Sequence, residues 1–148
     1  MNQNLLSVQN LDVTYAAKGF GKKGFKALHS VSIEVGEGET LGLVGESGSG
    51  KTTLGRAILG LAPISAGTVL FEGNDITNAT RKQRRSLSRD MQVVFQDPYT
   101  SLNPSMEIGQ ILAEPLQIQG MEAVVAKKRI AELLDQVGLP SDALQRLP

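Results

Sequence analysis

Cysteine is absent from the 148 residues. This excludes a disulfide framework, a thiolate metal site and a cysteine nucleophile. Neither charge is in surplus: fifteen Lys and Arg balance fifteen Asp and Glu. The basic excess that marks a nucleic-acid or acidic-membrane binder is therefore missing, and no nucleic-acid partner is expected. Histidine occurs once, as His29; with no cysteine and no second histidine beside it, it reads as structural. Long hydrophobic runs are lacking too. Uncharged stretches such as 57–71 are broken by Gly60, Pro63, Ser65 and Gly67, well short of the ~18 unbroken apolar residues of a membrane span. The first six residues carry neither the basic nor the apolar region of a secretory signal. The expectation is one soluble, globular domain, reaching a membrane only through a partner.

What is present is periodic. Leu6 and Val8, then Leu11, Val13 and Tyr15, alternate with polar residues as a half-buried strand does. The phase slips at Gln9-Asn10, which predicts a bulge. Residues 18–26 hold three glycines and four lysines and read as a loop. Val31, Ile33 and Val35 alternate again up to the turn Gly36-Glu37-Gly38. Residues 40–44 are almost wholly apolar, as is a strand buried on both faces. A glycine-rich loop follows, then Leu54, Ala57, Ile58 and Leu61 at helical spacing. Residues 68–72 read as a strand ending in Gly73-Asn74-Asp75. Arg81, Lys82, Arg84, Arg85 and Arg89 read as the solvated face of a short helix. Residues 91–95 predict another buried strand, and 99–104 a loop. Ile108, Ile111 and Leu112 predict a helix disturbed at Pro115. Ile130, Leu133, Leu134 and Val137 predict a last helix, closed by Gly138 and Pro140.

The glycine-rich loop carries the chemistry. Gly45-Glu46-Ser47-Gly48-Ser49-Gly50-Lys51-Thr52 fits G-x-x-x-x-G-K-[ST]. Phosphates need donors all round, and glycines let successive backbone N–H groups turn inward without a Cβ in the way. The following helix adds unpaired N–H groups and the positive end of its dipole. Lys51 would supply a point charge at the β/γ-phosphates and Thr52 a hydroxyl ligand for Mg²⁺. The bare pattern arises by chance in roughly half a per cent of chains this long. An ordinary Gly/Ser linker would not also have a buried strand just before it and an amphipathic helix just after.

With that loop placed, the chain resembles the nucleotide-binding subunits of ABC transporters, and among them the ATPases of oligopeptide and dipeptide importers. Glu39-Thr40-Leu41-Gly42-Leu43-Val44 running into the loop carries the resemblance, together with Val94-Phe95-Gln96-Asp97-Pro98-Tyr99-Thr100-Ser101-Leu102-Asn103-Pro104. It extends from Leu5 to Pro148. It implies an α/β P-loop NTPase domain, incomplete, with an N-terminal antiparallel β subdomain (1–39 and 67–78), a P-loop core (40–66 and 90–97) and the start of a helical subdomain (98–148). It implies ATP and Mg²⁺ as ligands. Tyr15 would stack on adenine, Thr53 would help hold the α-phosphate, and Gln96 would touch Mg²⁺ and the attacking water. Catalytic roles thus fall to Lys51 and Gln96, and metal contact to Thr52 and Gln96. The implied partners are membrane permease subunits, a second ATP-binding subunit and, indirectly, an extracytoplasmic solute-binding protein. The implied location is the cytoplasmic side of the membrane.

The resemblance also implies motifs that do not occur. Ser-Gly-Gly is nowhere in the chain, and no apolar strand ends in Asp-Glu. The expectation is a C-terminally truncated ATPase that binds nucleotide better than it turns it over, with apolar strand edges prone to aggregation. The alternatives are a non-hydrolysing nucleotide-binding or permease-docking fragment, and a different P-loop NTPase or kinase; the guanine-reading N-K-x-D of a GTPase is absent.

Overall fold

A computed structural model describes residues 4–17, 24–96 and 102–148. The chain divides into two compact units, Met1–Gln92 and Val93–Pro148.

The first unit is built on a four-stranded antiparallel sheet. Its strands are β1 (Asn4–Tyr15), β2 (Phe25–Gly36), β3 (Ile64–Phe71) and β4 (Asn74–Asp75), in the order β2-β1-β3-β4. Helix α1 (Lys51–Ile58) lies between β2 and β3 in the chain, and α2 (Arg81–Leu87) follows β4. Val8, Leu11, Val13, Leu28, Val69 and Phe71 from the strands, with Leu54 and Ala57 from α1, form the core. The phase slip is a bulge: the β1–β2 register jumps between Val8↔Ile33 and Leu11↔Val31. Asn10 there takes φ 48°, so Val8 and Leu11 are both buried although an odd step separates them. The bulge fixes Gly67 opposite. A Cβ on it would stand 2.4 Å from the Asn10 carbonyl oxygen, and its φ is +90°.

A polar cluster closes the β1–β2 end of the bulge. Asp12 accepts from the Lys26 ammonium and from the Ser30 backbone N–H, each at 2.7 Å. The Lys26 hydrogen bond, then the Ser30 amide, hold the Asp12 carboxyl below the usual carboxylate range.

The second unit holds α3 (Ile108–Ile118), α4 (Ala123–Gln136) and a 3₁₀ turn (Ser141–Gln145). Ala126, Ile130 and Leu134 of α4 and Ala143 of the turn are its buried apolar residues. The end of α4 is as predicted. Gly138 takes φ 73°, the Leu139 N–H reaches the Leu134 carbonyl at 2.9 Å, and the Gly138 N–H reaches Asp135 at 3.0 Å, which is the Schellman arrangement. The same pair of bonds closes α1 at Gly60 and α3 at Gly120.

Four expectations are corrected. Residues 40–44 and 91–95 are not strands: neither joins the sheet. Val44 and Val94 are 94% and 97% exposed. Their apolarity expresses a demand for burial, but a strand exists only when a neighbour supplies the ladder. Pro115 falls inside α3, where the expected disturbance is a lost donor, and the helix runs on to Ile118. Proline removes a donor but keeps its carbonyl, and that carbonyl accepts from the Gln119 N–H at 3.2 Å. Leu61 lies beyond α1 and is exposed. Arg84 does not belong to a solvated face, since its guanidinium turns inward onto two carbonyls. The loop expected over 18–26 is outside the described residues up to 23, and Phe25 and Lys26 already belong to β2. Of the loop expected over 99–104, residues 99–101 are outside them.

Candidate functional site

The loop 45–50 owes its path to glycine. Gly45, Gly48 and Gly50 take φ 153°, 85° and 96°, a region that other L-residues enter only at a cost of about 1–2 kcal/mol. Space matters as well as angle. A Cβ on Gly45 would stand 2.9 Å from Ser49 Oγ, and one on Gly50 would stand 2.6 Å from Leu28 Cδ2 and 3.2 Å from the Ala27 carbonyl oxygen. Gly50 therefore seats the loop directly on β2. The Ser49 N–H donates to the Glu46 carbonyl at 3.2 Å, closing the turn.

Gly50 is also the N-cap of α1, and no side chain caps the helix. The first bond of the helix runs from the Leu54 N–H to the Gly50 carbonyl at 2.9 Å. The N–H groups of Lys51, Thr52 and Thr53 precede it and have no acceptor within the helix. No acidic residue occupies the first turn, so the positive end of the helix dipole is not compensated. Lys51 Nζ donates to the Gly45 carbonyl at 2.7 Å, the Glu46 carbonyl at 2.8 Å and Ser49 Oγ at 3.2 Å. The ammonium thus folds back onto the loop. Ser47, Gly48, Ser49 and Thr52 are exposed; Lys51 and Thr53 are half-buried. This set of donors, one fixed positive charge and a solvent-facing hydroxyl suits a polyphosphate with a hard cation beside it.

Tyr15 ends β1, pairs with Phe25 of β2, and packs half-buried against the core. Because Gly50 rests on Ala27 and Leu28, the register brings Tyr15 to the same end of the sheet as the loop. Gln96 is exposed and belongs to the second unit; residues 97–101, which follow it in the expected motif, are outside the described residues. His29 lies on β2, exposed.

One residue of this region was not legible as special. Arg84 sends Nη1 to the Ile58 carbonyl at 2.7 Å and Nη2 to the Ile76 carbonyl at 2.5 Å. Its burial pushes the guanidinium pKa down. The only sequence signal was a basic residue near a helix end, where its charge suits the dipole.

Comparison with known proteins agrees with this geometry. The sequence pattern described as ABC transporter matches residues 28–147. The dipeptide transport ATP-binding protein DppF of Lactococcus lactis subsp. cremoris is 46% identical, over 99% of this chain and 47% of that protein. The oligopeptide transport ATP-binding protein OppF of Lactococcus lactis subsp. lactis is 40% identical, over 97% of this chain and 47% of its own length. A putative peptide import ATP-binding protein of Brucella ovis is 43% identical, over 96% and 44%. The chain thus spans about half the length of these relatives. Among solved structures, the dimeric ATP-binding cassette MJ0796, bound to ADP and Pi in a post-hydrolysis state, superposes with a TM-score of 0.76 at 23% identity. It matches 97% of this chain and 61% of its own. CbiO1 of Clostridium perfringens, part of an ABC transporter complex, gives 0.72 at 24%, over 99% and 55%. At these identities the likeness is one of fold: an α/β P-loop cassette.

Proposed function

This chain belongs to the ABC transporter family, and we propose that within it the chain is the nucleotide-binding part of an ATPase subunit that drives import of peptides or similar small solutes. One observation carries the nucleotide reading. The loop 45–50 brings together three positive-φ glycines, an uncapped helix start and the Lys51 ammonium. Gly45, Glu46, Ser47, Gly48, Ser49 and Gly50 would wrap the phosphates with main-chain amides. Lys51 would neutralise the outer ones, and Thr53 would support the α-phosphate. The Thr52 hydroxyl would be a ligand for Mg²⁺, whose chemistry is to neutralise charge developing on the transferred phosphoryl group; metal contact through its amide oxygen is the role that likeness to the family suggests for Gln96. Gln96 would also orient the water. Tyr15 would offer its ring to the base, consistent with its end of the sheet. We assign residues 1–39 and 67–78 to a β subdomain, 40–66 and 90–97 to the P-loop core and 98–148 to a helical subdomain.

The peptide reading rests on the relatives named above. Among the described residues no helix is long and apolar enough to cross a membrane. By likeness to the transport ATP-binding proteins named above, coupling to transport would run through permease subunits at the cytoplasmic face, with a second ATP-binding subunit opposite and a solute-binding protein beyond the membrane. Calorimetric titration with Mg-ATP tests the central point. Binding is expected for the natural chain and loss of at least tenfold in affinity for Lys51→Ala; equal heats from the two, or none from either, overturn the assignment.

A further inference from the structure

We infer that Arg84 is a positioning residue for the phosphate-binding end of α1, acting through the opposite end of that helix; the inference rests on the nucleotide reading above. Helix α1 has eight residues, about 12 Å at 1.5 Å per residue. A helix that short has little stability of its own, so its direction is set by what grips its ends. At the first end Gly50 is wedged on β2. At the second, the Schellman turn satisfies the Arg56 and Ala57 carbonyls, and Arg84 takes the Ile58 carbonyl. The other arm of its guanidinium takes the Ile76 carbonyl, just past β4. One planar cation thus ties the helix to the segment that follows the sheet.

The surroundings are shaped for that cation. A Cβ on Gly60 would stand 2.6 Å from Arg84 Nε and 2.8 Å from Cζ, so the guanidinium lies against bare backbone. Helix α2 buries none of its own residues. It is started instead by a capping box: the Gln83 N–H donates to Thr80 Oγ1, and the Thr80 N–H donates to Gln83 Oε1 at 2.8 Å. This short basic helix turns Leu87 toward the core, half-buried, and carries the Arg84 guanidinium inward. The charge also complements the negative end of the α1 dipole, whose positive end faces the loop. A lysine could keep the charge but not the two-armed fork.

The test compares Arg84→Met and Arg84→Lys with the natural chain and with Thr80→Ala, which weakens the start of α2 but leaves the fork in place. Mg-ATP affinity is read by calorimetry well below each melting temperature, and melting is recorded without nucleotide. Arg84→Met is expected to weaken binding by about 3- to 30-fold, the range usual for coupling through a packed element. Arg84→Lys should fall between, and Thr80→Ala should lower melting with affinity unchanged. The lysine variant keeps the comparison alive if the methionine variant does not fold. Natural affinity in both Arg84 variants overturns the inference and spares the nucleotide reading. So does an affinity loss in Thr80→Ala equal to that of Arg84→Met. Absence of binding by the natural chain itself overturns both.

Discussion

The Lys51 ammonium has three N–H bonds, and three oxygens surround it: those of Gly45, Glu46 and the Ser49 hydroxyl. Its donors are saturated by its own loop, so any anion must exchange with these partners rather than add to them. A small anion trades one bond for another, whereas a phosphate chain also reaches the free amides at the start of α1. In competition against a fluorescent nucleotide, tripolyphosphate should therefore act at concentrations at least tenfold below those of orthophosphate; equal potency would show that the loop amides contribute nothing. At Asp12 the folded-state pKa is lowered by Lys26 and by the Ser30 amide. Its stabilising contribution is present above the unfolded value, near 3.9, and is lost as pH falls through the folded value. Asp12→Asn should melt below the natural chain at pH 7, with the gap closing as pH drops below about 4. Because Asp12 and Lys26 are both solvent-facing, the gap should also narrow in high salt. A gap constant from pH 7 to pH 3 would place the effect outside this carboxylate.

At the scale of elements, most local signals held, Leu61 apart, and the non-local ones did not. The turn at 45–50 and the helix start after it were legible because adjacent residues specify both. The bulge at Asn10 was legible from one slipped step, and the end of α4 from one glycine and one proline. Arg84 was not. Its acceptors, at Ile58 and Ile76, lie 26 and 8 residues away, and nothing in a run of five basic residues says which one turns inward. Residues 40–44 and 91–95 announced their apolarity but not their neighbours. Two substitutions gauge the elements themselves. Ile130→Ala empties a site that is 4% exposed between α4 and its surroundings and should cost about 2–5 kcal/mol, measured by urea unfolding of the second unit's helical signal. Gly138→Ala forces a Cβ into φ 73° and should cost about 1 kcal/mol; no loss would show that the turn relaxes freely.

For the molecule as a whole, the segments at 41–44 and 93–95 leave Leu41, Leu43, Val44, Val93, Val94 and Phe95 exposed. Surface of this kind promotes association. Light scattering during size exclusion should show mass rising with concentration, and Val44→Lys with Val94→Lys should reduce it. A monodisperse monomer at all concentrations would contradict this. The order of the sheet has a consequence in time. The innermost long strand, β1, is made first, and it finds β2 almost at once. Its other neighbour arrives only when Phe71 has emerged, since Leu6 pairs with that residue. At ribosomal speeds of about 5–20 residues per second, the nascent hairpin waits roughly 2–7 s with one flank bare, and the kink at Asn10 interrupts the flank along which a stranger would dock.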